Sequence, residues 1–190
     1  MDLILAKYYH NIVNLTIMNH KNEGISDILT RPMHLLFVGY NPGRASFTAQ
    51  HHFAGRNNLF WQLLYEAHIT PSLFKPEEDV LLAHLGIGLT NLVAHMTPSS
   101  ADLTTAELRA GLTSLHTIID QYQPKVVALL GKKIGQVYCD TKLPIPWGIA
   151  ATKPYIYVEP NPSSRSTVPY SERLHHFMTL YKLTFEEDYS

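Results

Sequence analysis

The sequence has very little cysteine: a single residue, Cys139, in 190 positions. One thiol cannot supply an intramolecular disulfide, a four-thiolate zinc site or a cysteine-held iron–sulfur cluster, so all three are excluded. Such sparse cysteine usage is typical of a protein that works in a reducing, intracellular compartment. Nothing around Cys139 indicates a reactive thiol, and we expect a small residue that is buried or half-buried.

The chain also has almost no net charge, at −1 with histidines neutral. Phosphate contacts usually require a positive field, so this balance argues against a nucleic-acid partner. The acidic residues, however, gather in short runs at 77–79 and 186–188. The basic residues near the candidate loops described below are Arg44, Arg56, Lys132, Lys133 and Arg165. This uneven distribution predicts a local basic rim, with binding of modest affinity that salt weakens strongly.

Long apolar runs, internal repeats and low-complexity tracts are absent as well. No segment is long enough to span a membrane, and Asp2 followed by Lys7 does not fit a secretory signal. The length of 190 residues and the 45% hydrophobic content fit one globular domain. The core pattern begins near Arg31-Pro32, so we expect an N-terminal extension of unknown role over 1–31 and the domain over 32–190.

Apolar runs and helical periodicities alternate along the rest of the chain. Strands are predicted at 35–39, within 85–93, at 126–130 and at 155–158. Helices are predicted over 59–67, 103–122, 134–138 and 170–181, the second with capping-type residues at its start. Strands separated by helices indicate an α/β protein whose mainly parallel sheet carries helices on both faces.

The first of these strands ends in Tyr40-Asn41-Pro42-Gly43. Open α/β sheets hold ligands at the carboxyl ends of their parallel strands, so Asn41 would face a cleft. The strand at 155–158 runs into a second Asn-Pro turn at Asn161, and the two turns are expected to share one edge of the sheet. On residue chemistry alone, an Asn-Pro-Gly sequence is as readily an ordinary turn as part of an active site.

Further segments match a known pattern. The first turn is followed by His-His-Phe-Ala-Gly at 51–55 and Asn-Asn-Leu-Phe-Trp at 57–61. Together with an Asn-Pro-Ser loop at 161–166, these segments resemble the mismatch-specific uracil/thymine DNA glycosylases of the uracil-DNA glycosylase superfamily. The resemblance covers roughly residues 32–183. It implies the fold of that superfamily, a three-layer α/β/α sandwich with a central, mainly parallel sheet.

The resemblance also implies roles for the first segment. Asn41 would hold the attacking water by hydrogen bonds, and Phe53 would stack on the base that is flipped out of the duplex. An amide cannot take up a proton as a carboxylate does, so Asn41 would orient water in a slow, dissociative reaction. Ser46 would lie near the 5-position of the base, where it would admit uracil and crowd thymine. The other implied base-pocket residues are Tyr40, Pro42, Gly43 and His52.

The second segment would enter the duplex and read the mismatch. Its residues are Asn161, Pro162, Ser163, Ser164, Arg165 and Ser166. Relatives place leucine or arginine at the tip of this loop, and this chain resembles the arginine version, with Arg165 as the wedge. From this segment alone, a polar surface loop that ends a strand is an equally good interpretation. Two matching segments at opposite ends of one chain are much harder to attribute to chance.

The sequence does not indicate a metal or another cofactor. The adjacent histidines at 51–52 and at 175–176 point apart on a strand or helix, and no cysteine or carboxylate completes a ligand set beside them.

The resemblance therefore implies a monofunctional DNA glycosylase that initiates base excision repair. Its substrate would be double-stranded DNA in which uracil, and also thymine or a cytosine adduct, is mispaired with guanine. We expect a monomer with no membrane partner, in the cytoplasm or nucleoid, or in the nucleus of a eukaryote. Two alternatives stay open: a non-catalytic mismatch-recognition module, and an α/β enzyme that acts on free nucleotides through Gly39, Gly43 and Gly131.

Overall fold

The computed structural model describes residues 16–18 and 24–186, and within these residues one seven-stranded sheet forms the centre of the protein. The strands are β1 Thr16–Met18, β2 Asp27–Leu29, β3 Leu35–Gly39, β4 Ile87–Asn91, β5 Val126–Leu130, β6 Gly148–Thr152 and β7 Tyr155–Glu159. Their order across the sheet is β1-β2-β4-β3-β5-β7-β6. The four central strands, β4, β3, β5 and β7, are parallel, and the outer strands pair antiparallel.

Strands β3 and β5 are apolar along their whole length because both faces of the sheet are covered. Every residue of β3 and β5 is buried. A strand with one face in water would alternate apolar and polar residues, whereas Leu35–Gly39 and Val126–Leu130 are continuous apolar runs. The four predicted strands are therefore confirmed as the parallel centre of the sheet.

Helices lie on both faces of the sheet. They are α1 Arg44–Ala49, α2 Phe60–Glu66, α3 Thr105–Tyr122, α4 Lys132–Tyr138 and α5 Tyr170–Phe185, with 3₁₀ helices at Pro76–Leu85 and Ser100–Asp102. One core cluster joins the sheet to α2 and α5 through Phe60 and Phe177, and the other joins it to α3 and α4 through Leu108 and Ile134. The predicted three-layer α/β/α sandwich is thus confirmed, and the four predicted helices are present.

Two predicted helix starts rest on identifiable chemistry. Thr104 caps α3, because its Oγ1 accepts the Glu107 N–H while the Glu107 carboxylate accepts the Thr104 N–H. In α2, Phe60 and Trp61 are buried in the core cluster between this helix and the sheet, so they serve packing and not contact with DNA. Both helices begin where polar loop residues give way to an apolar face.

The sequence analysis missed several short elements. Strands β1 and β2 lie within the predicted N-terminal extension and add an antiparallel edge to the sheet, although 1–15 and 19–23 lie outside the described residues. Strand β6, mostly exposed, forms the opposite edge. Three-residue strands and exposed edges carry too little apolar periodicity to be recognised. The division of the chain at residue 31 stays a prediction.

One prediction about a single side chain is wrong. Cys139 is exposed, not buried or half-buried, because it follows the last residue of the short helix α4 and caps it. A search of the described helices finds none that is both long and apolar enough for a membrane span.

Candidate active site

A cleft of about 780 Å³ opens at the carboxyl ends of the parallel strands, where β3, β5 and β7 pass into loops. It brings together residues from both predicted segments. Those that line it are Tyr40, Asn41, Pro42, Gly43, Ser46, His52, Phe53, Asn161, Ser163, Ser164, Arg165 and Ser166. Pro162 does not line the cleft: it is buried, and its carbonyl accepts the Leu59 N–H at 3.0 Å. The turns at Asn41 and Asn161 therefore border one cleft, although they are 120 residues apart in sequence.

Among the described residues, the charged side chains that line the cleft are basic. All the residues of the predicted basic rim line it, namely Arg44, Arg56, Lys132, Lys133 and Arg165. Among the residues that the structure describes, no aspartate or glutamate lines it. A neutral protein thus concentrates positive charge at one concave surface, where low-dielectric walls strengthen its attraction for an anion.

The side chain of Asn41 is held by a neighbouring loop. Its Nδ2 donates to the carbonyl oxygen of His95 at 3.1 Å and to Thr97 Oγ1 at 2.8 Å. Thr97 Oγ1 in turn donates to the Ser99 carbonyl at 2.7 Å, which orients the hydroxyl. A carbonyl oxygen can only accept, so the contact with His95 places Nδ2 on that side of the amide. With both Nδ2 hydrogens engaged, Oδ1 is the atom of Asn41 that can receive a hydrogen bond from a water.

Phe53 forms an aromatic wall of the cleft. Its ring stacks on Phe60, with ring centroids 3.8 Å apart and an interplanar angle of 24°. Phe60 is fully buried and contacts Phe37 and Phe177 edge-on, so the wall rests on the hydrophobic core. Phe53 itself has a left-handed backbone, with φ of 53°, which is uncommon for an aromatic residue.

Ser46 stabilises the turn that carries Phe53. Its side chain is buried, and its Oγ accepts the N–H of Ala54 at 2.9 Å. The carbonyl of Ser46 also accepts the His51 N–H at 3.2 Å. Ser46 therefore contributes a small wall to the cleft, and its hydroxyl fixes the position of Phe53.

His52 lines the cleft but is buried, with only 2% of its surface exposed. Its backbone N–H donates to Asp79 Oδ2 at 2.9 Å, and its Nε2 lies 3.1 Å from the Ser26 carbonyl. Because the carbonyl can only accept, Nε2 carries the proton in this pair. Burial lowers the pKa of His52 from its usual value, which favours the neutral ring. Asp79, from the acidic run at 77–79, thus has a structural role and does not simply lie on the surface.

Tyr40 packs against the loop that begins at Gly131. A Cβ on Gly131 would lie 2.5 Å from the Tyr40 hydroxyl, and Gly131 has a φ of 135°, so only glycine fits between the two loops. Burial raises the pKa of Tyr40, while backbone N–H groups of Lys133 and Ile134 hydrogen-bond to it and oppose that rise. The ring therefore joins the ends of β3 and β5.

The loop 161–166 is shaped by its own hydrogen bonds. Asn161 Nδ2 donates to the Leu130 carbonyl at 3.2 Å, and its Oδ1 accepts the Ser163 N–H at 2.8 Å. Ser163 then accepts the Arg165 N–H at its Oγ and the Ser166 N–H at its carbonyl, at 3.2 and 3.0 Å. Both ends of the Asn161 amide are thus used inside the protein, and this side chain shapes the loop.

Arg165 lies at the exposed tip of this loop. Its guanidinium donates to the Pro98 carbonyl at 3.4 Å, across the cleft. Pro98 adjoins Thr97, whose hydroxyl holds Asn41. The segment Thr97–Ser99 therefore contacts both the amide and the arginine, although the sequence analysis gave it no role. A polar Thr-Pro-Ser-Ser run soon after β4 was the available signal.

Trp147 is a second cleft residue that the sequence analysis missed. Lys132 Nζ lies 4.4 Å from the centre of its ring, a cation–π contact, and both side chains line the cleft. Lys133, by contrast, donates to the Leu103 carbonyl at 2.8 Å. Both lysines line the cleft, but Lys132 contacts an aromatic ring there, whereas Lys133 binds a backbone carbonyl of another element.

A carboxyl group lies close by in sequence but outside the cleft. Glu159, the last residue of β7, is fully buried, and neither side-chain oxygen has a hydrogen-bond partner among the described residues. Burial raises the pKa of Glu159 well above its usual value, so the neutral acid is favoured. It does not line the cleft and is not placed to act on a substrate there.

Within residues 24–186, no group of three or more histidine, cysteine or acidic side chains is arranged to hold a metal ion. The paired histidines have other partners: His51 Nδ1 lies 3.2 Å from Asp79 Oδ1, and His176 Nδ1 lies 2.7 Å from the Tyr157 hydroxyl. Their side chains serve separate contacts, in agreement with the expectation that neighbours point apart.

A known protein family matches most of this chain. The model of the uracil DNA glycosylase superfamily matches residues 30–183 of this chain. This range begins after β2 and includes the strands from β3 to β7, the loops that follow them at the cleft and most of α5.

Proposed function

Because the chain belongs to the uracil DNA glycosylase superfamily, we propose that it excises uracil mispaired with guanine from double-stranded DNA. Membership implies the reaction class, hydrolysis of the N-glycosidic bond between uracil and DNA. The preference for a guanine mismatch is proposed from the arginine-tipped loop and from the resemblance to the mismatch-specific branch. Asn41, Phe53 and Arg165 would act respectively on water, on the flipped base and on the vacated stack.

The anchored amide of Asn41 is the observation that carries the proposal. Because Nδ2 is bound to His95 and Thr97, Oδ1 would accept a hydrogen bond from water and direct a lone pair of that water toward the sugar carbon. The amide would position the water without removing its proton in advance. An ordinary surface turn would not require its asparagine to be held on the nitrogen side in this way.

The absence of an acidic side chain from the described cleft lining supports a dissociative reaction. A two-carboxylate sugar hydrolase needs an acid and a base on either side of the scissile bond, and this cleft offers neither. Uracil would leave as a resonance-stabilised anion before the water completes its attack. The N–H groups of Asn41 and Gly43 would stabilise this charge, since Pro42 between them has none.

The base would stack on Phe53, whose other face is packed on Phe60. A wall supported by the core does not have to be ordered when the base enters, so less entropy is lost on binding. Ser46 narrows the same region, which supports excision of uracil over thymine, with thymine and cytosine adducts as weaker substrates. The cationic cleft would bind the phosphates on both sides of the flipped nucleotide.

The loop at 161–166 would fill the duplex and read the partner base. Arg165 would leave its contact with Pro98 and enter the stack as a planar cation. The N–H groups of Arg165 and Ser166 are already bound to Ser163, so carbonyl oxygens of this loop would accept the N–H donors of the widowed guanine. The protein would act as a monomer on chromosomal DNA, inside the cell.

A single panel of substrates tests the proposal. Single-turnover excision should be fastest for uracil opposite guanine and slower for thymine opposite guanine. It should also be slower for uracil opposite adenine or in a single strand, since mispairing with guanine lowers the cost of flipping. Equal rates on G·U and A·U duplexes would reject the mismatch preference. Binding without excision would favour the recognition module, and turnover of free deoxyuridine nucleotides would favour the nucleotide enzyme.

A further inference from the structure

The cleft has one wall that lies outside the range of the family match. Ile25 lines the cleft together with Ser46, His52 and Phe53, yet the match begins at residue 30. Only 4% of Ile25 is exposed. Among the described residues, it belongs to neither of the two hydrophobic core clusters. Ile25 is therefore buried at the cleft, apart from those two clusters.

The residues on both sides of Ile25 are fixed. The Ser26 carbonyl lies 3.1 Å from His52 Nε2, which ties the segment directly to the residue before Phe53. On the other side, a Cβ on Gly24 would lie 2.3 Å from the Ala94 carbonyl, so Gly24 packs closely against the chain after β4. Ile25 between them cannot shift far without breaking one of these contacts.

The following strand holds the segment to the sheet. Asp27, the first residue of β2, is buried, and its Oδ1 accepts the Thr90 hydroxyl at 2.8 Å. Ile28 pairs with Leu89 of β4. Residues 24–29 are therefore held against the sheet, and they place Ile25, a branched side chain, beside the turn that carries Phe53.

Resting on the proposed function, we propose that Ile25 is a specificity-determining residue that closes the apolar end of the base pocket. Three edges of uracil carry carbonyl or N–H groups, and facing these against an aliphatic wall would leave them without partners. The C5–C6 edge is apolar and is the one that Ile25 suits. The side chain would thus limit the size of the group at C5, together with the small wall formed by Ser46.

Two substitutions should move this limit in opposite directions. Ile25→Val shortens the side chain by one methylene and should raise the ratio of thymine to uracil excision opposite guanine by about 10-fold, the lower end of what one methylene in a hydrophobic pocket changes. Ile25→Met reaches further into the cleft and should lower the ratio. Ile28→Val is the matched control, because Ile28 is 3% exposed, belongs to the same segment and does not line the cleft.

The measurement is the single-turnover rate on G·U and G·T duplexes, with thermal melting of each variant to confirm folding. Affinity for duplexes with 2′-fluoro-deoxyuridine or 2′-fluoro-thymidine, whose glycosidic bonds resist cleavage, gives the same ratio without chemistry. Opposite shifts for the two Ile25 variants, absent from Ile28→Val, support the inference. Unchanged ratios, or an equal shift in the control, overturn it.

The two proposals fail in different ways. If the natural chain excises uracil but the Ile25 ratios do not move, only the inference about Ile25 is wrong. If the chain binds mismatched duplexes without cleaving them, the glycosylase proposal is wrong and the binding ratios still decide the role of Ile25. A chain that neither binds nor cleaves these duplexes overturns both.

Discussion

Asn41 and Arg165 border the same cleft, but the protein holds them in different ways. The Asn41 side chain is part-buried, with both Nδ2 hydrogens bound within the loop after β4. The Arg165 side chain is exposed and reaches Pro98 O at 3.4 Å, a long contact for a hydrogen bond. One group is fixed in advance, and the other is free to leave its place at little cost.

The difference matches what each group would have to do. A group that positions water is useful only if its geometry is set before the reaction, because ordering it later would add to the barrier. A wedge must instead exchange its contacts in the free protein for contacts in DNA. The backbone of the second loop is nevertheless ordered by Asn161 and Ser163, so only the tip needs to move.

The largest effect is expected when the fixed amide of Asn41 is removed. Asn41→Ala should lower single-turnover excision of uracil by on the order of 100-fold, because water would lose its positioning group. DNA affinity should change little, since the cationic side chains of the cleft remain. Gln121→Ala, an exposed amide outside the cleft, is the control. Retention of more than about a tenth of the rate would refute the role given to Asn41.

Removing the guanidinium of Arg165 should have a smaller effect, divided between DNA binding and the rate of excision. Arg165→Ala should lower single-turnover excision and abasic-site affinity by about 10-fold each, and should reduce the salt slope by about one phosphate contact. Wild type should show a burst of one turnover and then slow release, which the variant would lose. Arg109→Ala removes the same charge at a surface pair with Asp140. If the two variants behave alike, Arg165 is not a wedge.

The support of Asn41 should matter less than the residue itself. Thr97→Val removes the hydroxyl that accepts from Asn41 Nδ2 and leaves the His95 carbonyl in place. The excision rate should fall by about 3- to 10-fold, the usual value of one neutral hydrogen bond. Thr97→Ser restores the hydroxyl and should recover most of the rate. Failure of serine to rescue would show that Thr97 acts through packing.

The smallest effect on excision is expected at Glu159, the last residue of β7, where a substitution should change stability. Burial raises the pKa of Glu159, so its contribution to stability is fully present below the unfolded value near 4.5 and is lost as pH rises through the folded pKa. Glu159→Gln should match wild type near pH 4 and become more stable by about 1–3 kcal/mol at higher pH. Urea unfolding across this range measures the difference, with exposed Glu77→Gln as control. A constant difference at every pH would contradict the buried acid.

Much of the fold could be predicted because its signals are local. The apolar runs of β3 and β5 have the predicted bounds, since each is a continuous stretch that ends at glycine. Helix α3 begins at a capping box, which is readable within four residues. The outer strands β1, β2 and β6 were missed because short or exposed strands do not carry such patterns.

The candidate site was predictable only in part. Asn41, Phe53 and Arg165 stand in recognisable motifs, and all line the cleft. The groups that hold Asn41 and Arg165 lie outside these motifs. Asn41 binds Thr97, which is 56 positions away, and Arg165 reaches Pro98, which is 67 positions away. His52, expected in the base pocket, lines the cleft, but the groups of Asp79 and Ser26 that hold it are 27 and 26 positions away.

The sequence by itself determined which short elements form and which residues could do chemistry, because apolar periodicity, caps and turn residues act over a few positions. Only the tertiary structure decided which atoms of those residues are free, because that depends on partners brought together by the sheet. The nitrogen of Asn41 is bound and its oxygen is available, as the loop after β4 lies beside the end of β3. In the same way, the pairing of β2 with β4 brings Ile25 to the cleft, a contact that local chain chemistry does not contain.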